Sequence, residues 1–193
     1  MNDTLILFGR SLFINKVKSY IPNLIEKYDT LGINYFYKSY PNVKGIIFYD
    51  KNTVIDEKID NLIITDKKNK DEVKHQKNVE LYDVITNRYE FSKKQGVLNY
   101  YYFTSSMAIN WAYLKGYKNV VFCGVDLFLI NNFHFDDKND LPKQDKKVLL
   151  KTKKYTEDVC QMFINLYQLN PESDLKIPKI SIEKLLEREI KNG

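Results

Sequence analysis

Five short clusters in this chain carry side chains able to bind or process a ligand. They are Gly9-Arg10-Ser11, Asn34, Asp50, Thr104-Ser105-Ser106 and Gly124-Val125-Asp126. Backbone N–H groups at a glycine turn or helix start suit phosphate oxygens, and amides, hydroxyls and carboxylates suit a base or ribose. Arg10 adds a guanidinium that can grip a phosphate through two parallel hydrogen bonds. An imidazole follows in Phe133-His134-Phe135-Asp136-Asp137. Imidazole exchanges a proton near neutral pH, so His134 is the candidate general base or phosphate partner, with Asp136 or Asp137 to orient it. Its aromatic neighbours equally suit a packed or capping histidine. The only other histidine, His75, lies in a charged run and reads as exposed and inert.

These clusters act together only if one edge of one sheet presents them, and the hydrophobic pattern predicts such a sheet. Leu5-Ile6-Leu7-Phe8, stopped by Gly9, reads as a buried strand. Leu31-Gly32-Ile33-Asn34, Gly45-Ile46-Ile47-Phe48-Tyr49-Asp50, Leu62-Ile63-Ile64-Thr65, Val120-Val121-Phe122-Cys123 and Asn165-Leu166-Tyr167-Gln168-Leu169 read likewise. Ser11 can cap a helical segment that Pro22 divides or kinks. The hydroxyl cluster opens a helical run over 107–115, and Gly116 ends it. Residues 148–163 read as a further helix, and a last one runs to Ile190 with Ser181 as its cap and Glu183 in its first turn. Residues 66–77 are almost wholly polar, an exposed loop or short surface helix, and 79–102 are aromatic-rich and ambiguous between strand and packing. The polar stretch 136–147 is a candidate lid. Strands alternating with helices imply an α/β fold, one Rossmann-like domain over 1–193 whose mostly parallel sheet has helices on both faces. In such folds ligands lie beyond the carboxyl ends of the strands.

Composition narrows the partners. A charge of +5 built on lysine, with only Arg10, Arg88 and Arg188 as arginines, reads as a solvated surface and not as a nucleic-acid face. Cys123 and Cys160 form no metal or redox motif, and no apolar run is long enough to span a bilayer; a reducing, cytoplasmic setting is expected. The glycines do not form GxGxxG and there is no GK[ST] loop, which argues against a standard dinucleotide or Walker-type site. Asp136-Asp137-Lys138-Asn139-Asp140 lacks the glycine and final glutamate of a calcium loop, so no metal site is assigned.

Taken in order, Gly9-Arg10-Ser11-Leu12, Leu31-Gly32-Ile33-Asn34, the strand ending at Asp50, Thr104-Ser105-Ser106, the Gly116-Tyr117-Lys118 turn, Gly124-Val125-Asp126 and Leu166-Tyr167 to Asn170-Pro171-Glu172-Ser173 resemble landmarks of the bacterial family 42 sialyltransferases. They also resemble the broader Rossmann-like set that includes 6-hydroxymethylpterin diphosphokinase-like proteins. The resemblance implies a CMP-linked sugar held without a metal. It implies that Gly9 and Ser11 line the phosphate or nucleotide side, that Asn34 meets the donor, that Thr104 and Ser105 face it, and that Gly124 and Asp126 stand near the cytidine ribose. Three positions depart from the family. Asp50 replaces an asparagine and cannot donate a hydrogen bond, and Phe128 replaces a phosphate-binding tyrosine. The family histidine has no counterpart around Leu150-Lys151-Thr152.

The expected activity is therefore transfer of a sugar from a nucleotide-activated, CMP-type donor to a glycan or other hydroxyl acceptor. His134 would serve as base, and no metal or other cofactor would take part. The departures motivate a non-catalytic nucleotide-binding module as the alternative. Diphosphoryl transfer to a pterin-like alcohol, which requires Mg²⁺ and a triphosphate, is the third. The aromatic-rich 82–103 region offers a surface for a homo-oligomer.

Overall fold

The computed structural model describes residues 3–51, 53, 57–126 and 146–187. Eight strands form one sheet: β1 (Thr4–Phe8), β2 (Asp29–Ile33), β3 (Gly45–Ile47), β4 (Leu62–Asp66), β5 (Val79–Thr86), β6 (Val97–Tyr100), β7 (Asn119–Cys123) and β8 (Asn165–Gln168). Their order is β6-β5-β4-β3-β2-β1-β7-β8, and every pair is parallel. The fold is α/β and Rossmann-like. The chain leaves β1 toward β2 on one side and returns on the other through β7, so the topological switch lies at β1 and β7, where such sheets open a crevice.

Period-two alternation in β1 explains both layers. Leu5 and Leu7 enter one buried cluster with α4 (Thr104–Leu114) and Tyr155 of α5 (Lys146–Asp158). Ile6 and Phe8 enter the other with α1 (Phe13–Val17), α2 (Ile21–Lys27), α3 (Phe36–Ser39) and α6 (Ile182–Glu187). Strands covered on both faces read as continuous apolar runs, and that made β1, β4 and β7 visible in the sequence. The segment around Pro22 is two helices, with the proline in the first turn of α2, where its missing N–H leaves no intrahelical bond unmade. Ser181 caps α6, its Oγ accepting the Lys184 N–H at 3.2 Å.

Several expectations change. The ambiguous 79–102 region contains two strands. β5 pairs through residues 79–82 with β4 and through 83–86 with β6, so each half is covered on a different edge. Three of its aromatics, Tyr82, Phe91 and Tyr101, are buried, and Trp111 of α4 donates Nε1–H to Glu80 of β5 at 3.0 Å. The third strand is shorter than expected, ending at Ile47, which leaves Asp50 three residues beyond it. Of residues 66–77, Asp66 ends β4, Lys67–Asn69 form a 3-10 turn and 70–75 are turns, with Asn69 and Val73 buried. Lys146 and Lys147 belong to α5 and not to a lid; the remainder of that expected lid, 136–145, lies outside the described residues. α5 ends at Asp158, before a 3-10 turn over Cys160–Met162. No helix among the described residues is long and apolar enough to cross a membrane.

Candidate functional site

The exits of β1 and β7 meet backbone to backbone. Gly9 N–H donates to Cys123 O at 2.8 Å, and Ser11 N–H donates to Gly124 O at 3.0 Å. A Cβ on Gly9 would fall 2.2 Å from the Gly124 carbonyl oxygen, so only glycine fits there. Gly124 has φ +76, and a Cβ on it would stand 2.7 Å from Ile14 Cγ1. Glycine is thus required twice, for close approach and for backbone conformation.

This corner holds Asp126. Ser11 Oγ donates to Asp126 Oδ2, and Ser173 Oγ donates to the Asp126 carbonyl at 3.2 Å. Gln168 Nε2 donates to the Val125 carbonyl at 2.9 Å. Asp126 is 3% exposed, and its Oδ1 has no partner among the described residues. Burial pushes its carboxyl above the ordinary value; the Ser11 hydrogen bond, the nearby Asn170 amide and the charge of Lys179 act against that rise. The Lys179 ammonium donates to the carbonyls of Ser173 (2.9 Å) and Leu175 (3.0 Å), and burial lowers its own pKa. Asp126 is therefore a desolvated carboxylate with one oxygen engaged and one open to a donor.

Asn34 stands at the neighbouring exit. Its N–H donates to Ile47 O at 3.0 Å, tying β2 to β3, and its backbone is left-handed at φ +51. Asparagine tolerates that conformation better than most residues. Its Oδ1 is also buried without a partner among the described residues. Arg10 reaches toward the same exit, its guanidinium carbon 5.7 Å from the centre of the Tyr35 ring.

The start of α4 lies on the same edge, beyond β6. Ser106 is structural: its Oγ accepts the Tyr101 N–H and donates to Phe103 O, both at 2.7 Å. Ser105 is 4% exposed and its Oγ has no partner among the described residues; Thr104 is 6% exposed. The residue capping the helix, Phe103, offers no side-chain acceptor, so the first turn of α4 keeps its positive end. Immediately before it, Tyr102 has φ +64, an uncommon conformation for an aromatic residue.

Asp50 belongs to a different group. It is exposed, and its carbonyl accepts the Thr53 N–H at 3.0 Å. Beside it Tyr49 stacks on Tyr100 with centroids 4.0 Å apart, and Lys68 Nζ lies 3.1 Å from the Tyr49 centroid. Burial raises the Tyr100 pKa, and the Asp50 charge adds to the rise.

The structure thus brings Gly9, Ser11, Gly124 and Asp126 into contact. It sets Arg10 and Asn34 one strand away, and it places Asp50, Thr104 and Ser105 farther along the same edge. No hydrogen bond joins Asp50, Thr104 or Ser105 to Asp126 among the described residues. His134, Phe128, Asp136 and Asp137 lie outside the described residues.

Sequence reasoning used Asn170 and Ser173 only as landmarks and passed over Gln168 and Lys179, yet these residues form the wall around Asp126. One signal was present: Asn170 Oδ1 accepts the Glu172 N–H at 3.1 Å, a turn that Asn-Pro-Glu-Ser after a strand favours. Cys123 and Cys160 are buried free thiols whose pKa burial raises, so neither is a ready nucleophile. In comparisons with known proteins, no family model, no curated protein and no solved structure matches the chain.

Proposed function

We propose that the carboxyl edge of the sheet binds a nucleotide-activated sugar of CMP type and passes the sugar to a hydroxyl acceptor, as the resemblance to sialyltransferases implies. One observation carries the reading. Among the described residues, Asn34 Oδ1, Ser105 Oγ and Asp126 Oδ1 are buried without partners, and all three stand at strand exits or a helix start on one edge. A buried polar atom left unsatisfied costs about 1–3 kcal/mol, so three on one edge are worth keeping where a ligand completes them. Asp126 would accept from a ribose hydroxyl, Asn34 and Ser105 would meet the donor, and the Gly9 turn would face the phosphate.

The chemistry is displacement at the anomeric carbon. A base takes the acceptor hydroxyl proton, and the acceptor oxygen forms its bond to that carbon. The bond to the phosphate oxygen breaks, and the nucleotide leaves with the electron pair. The sequence offers His134 as base.

A second reading, a nucleotide-binding module without turnover, has an observation of its own. Asp50 is exposed and keeps company with Tyr49 and Tyr100, away from the Ser11–Asp126 corner. Thermal shift with CMP, and with ATP plus Mg²⁺, separates the readings, because stabilisation grows with the concentration of the ligand that binds. CMP stabilisation with CMP-sugar turnover that is lost in His134→Ala, nucleotide binding being retained, is the expected result. CMP binding without turnover in the parent selects the module. Stabilisation by ATP and Mg²⁺ alone selects diphosphoryl transfer. If no nucleotide stabilises the protein, all three readings fall.

A further inference from the structure

The exposed side of α5 carries a feature that neither the site nor the core uses. Its sequence is KKVLLKTKKYTED, and Leu149, Thr152, Tyr155 and Thr156 are buried. Lys146, Lys147, Leu150, Lys151 and Lys154 are exposed. Spaced i, i+1, i+4, i+5 and i+8, they make one stripe about 12 Å long at the helical rise. Leu150, 45% exposed, stands inside a ring of lysines. Tyr89, 43% exposed, joins the C-terminal part of the stripe, its hydroxyl reaching the Lys154 carbonyl at 3.4 Å and Asp158 Oδ2 at 3.3 Å; Lys154 pairs with Asp158, so the net positive charge of the stripe lies toward its N-terminal part.

The charges on this helix also run against its dipole. The first turn holds Lys146 and Lys147 and no acid, and the last holds Glu157 and Asp158 and no base. Cations at the positive end of a helix and anions at the negative end each cost a few tenths of a kcal/mol or more. At the C-terminal end Lys154 pairs with Asp158 and Lys153 lies 4.0 Å from Glu157, which offsets part of that cost; at the first turn helix stability alone does not favour the lysines.

We propose that this face of α5 docks on the anionic surface of a phospholipid bilayer. Lysines spread around an exposed leucine and tyrosine match such a surface: ammonium groups meet lipid phosphates and carboxylates, while Leu150 and the Tyr89 ring enter the interfacial layer. A soluble polyanion would satisfy the lysines and leave Leu150 in water. Lys151 Nζ lies 3.4 Å from the Tyr102 hydroxyl, and Tyr102 precedes the first turn of α4. A bilayer held on α5 would therefore sit beside the edge that carries Ser105. The inference stands independently of the sugar-transfer reading.

Sedimentation of the full chain with vesicles tests it. Phosphatidylcholine vesicles containing about a third phosphatidylserine should bind the protein at about 0.05 M salt and release it at about 0.5 M, and phosphatidylcholine alone should not bind it. Lys146→Glu with Lys147→Glu should cut partitioning about tenfold or more. Acids in the first turn suit the helix dipole, so an unchanged far-UV circular dichroism spectrum is expected alongside. Leu150→Ser should weaken binding at unchanged charge. Failure of the parent to bind the anionic vesicles, or equal binding by the double variant, overturns the proposal. So does indifference to Leu150→Ser combined with equally tight retention on a heparin column, which would assign the stripe to a soluble polyanion.

Discussion

The two ends of the carboxyl edge are built from different materials. At the β1–β7 corner the backbones of Gly9 and Gly124 touch, and Ser11 and Ser173 donate hydrogen bonds to one buried aspartate. At the β3–β6 end the parts are rings and cations: Tyr49 on Tyr100, Lys68 over Tyr49, Lys151 beside Tyr102. The first end is directional and intolerant of extra atoms. The second is broad and weakly directional, since stacking and cation–π contacts allow several orientations. An edge with one end of each kind can fix one part of a ligand and leave latitude for another.

The contrast can be broken most strongly at Gly9. Gly9→Ala puts a methyl against the Gly124 carbonyl and Val125, and should destabilise the protein by about 3 kcal/mol in urea unfolding. Gly116→Ala is the control; a Cβ there meets nothing within 4 Å, so only its φ of +86 should cost, about 1 kcal/mol. A Gly9→Ala variant as stable as the parent would mean that the two strand exits are not in contact.

Ser11→Ala comes next, at about 1.5 kcal/mol at neutral pH, because it removes a donor from a buried carboxylate. Its sign with pH follows from Asp126. That carboxyl already has a folded pKa above its unfolded value, so its contribution to stability is full below the unfolded pKa, about 3.9, and is lost as pH rises through the folded pKa. Ser11 acts against that rise, and deleting it lifts the folded pKa further. The cost of the variant should therefore shrink as the medium is acidified toward about pH 4. A pH-independent difference between the two denaturation curves would show that Ser11 does not act through the charge.

Changes at the tyrosine end should be smaller. Tyr49→Leu keeps apolar bulk but loses the stack on Tyr100, at about 1 kcal/mol. Lys68→Met should cost about 0.5 kcal/mol, because the cation over Tyr49 is partly exposed and also lies 3.7 Å from Asp66. Neither variant should change nucleotide affinity measured by calorimetry. A tenfold loss in Tyr49→Leu would make the aromatic end part of the nucleotide site and erase the distinction.

Legibility followed the same division. The corner was readable because Gly9 and Gly124 each stop an apolar run, with Ser11 and Asp126 two residues on, and such stops in a parallel sheet fall on one edge. The wall around Asp126 was not, because an isolated bridge between Gln168 and Lys179 positions it, a pairing that no local pattern announces. β5 escaped because Val-Glu-Leu-Tyr-Asp-Val-Ile-Thr changes partner midway, which leaves its burial without a period. Asp50 was misplaced because β3 ends early, so an apparent strand-end residue sits out in solvent.

β1 carries a demand on timing. Its neighbour β2 follows within a few dozen residues, whereas Ser11 and Asp126 are separated by 115 positions. During synthesis the growing chain must therefore keep one flank of its central strand bare until β7 emerges. The corner that grips Asp126 is among the last parts to assemble, and a fragment ending before β7 would expose an aggregation-prone edge.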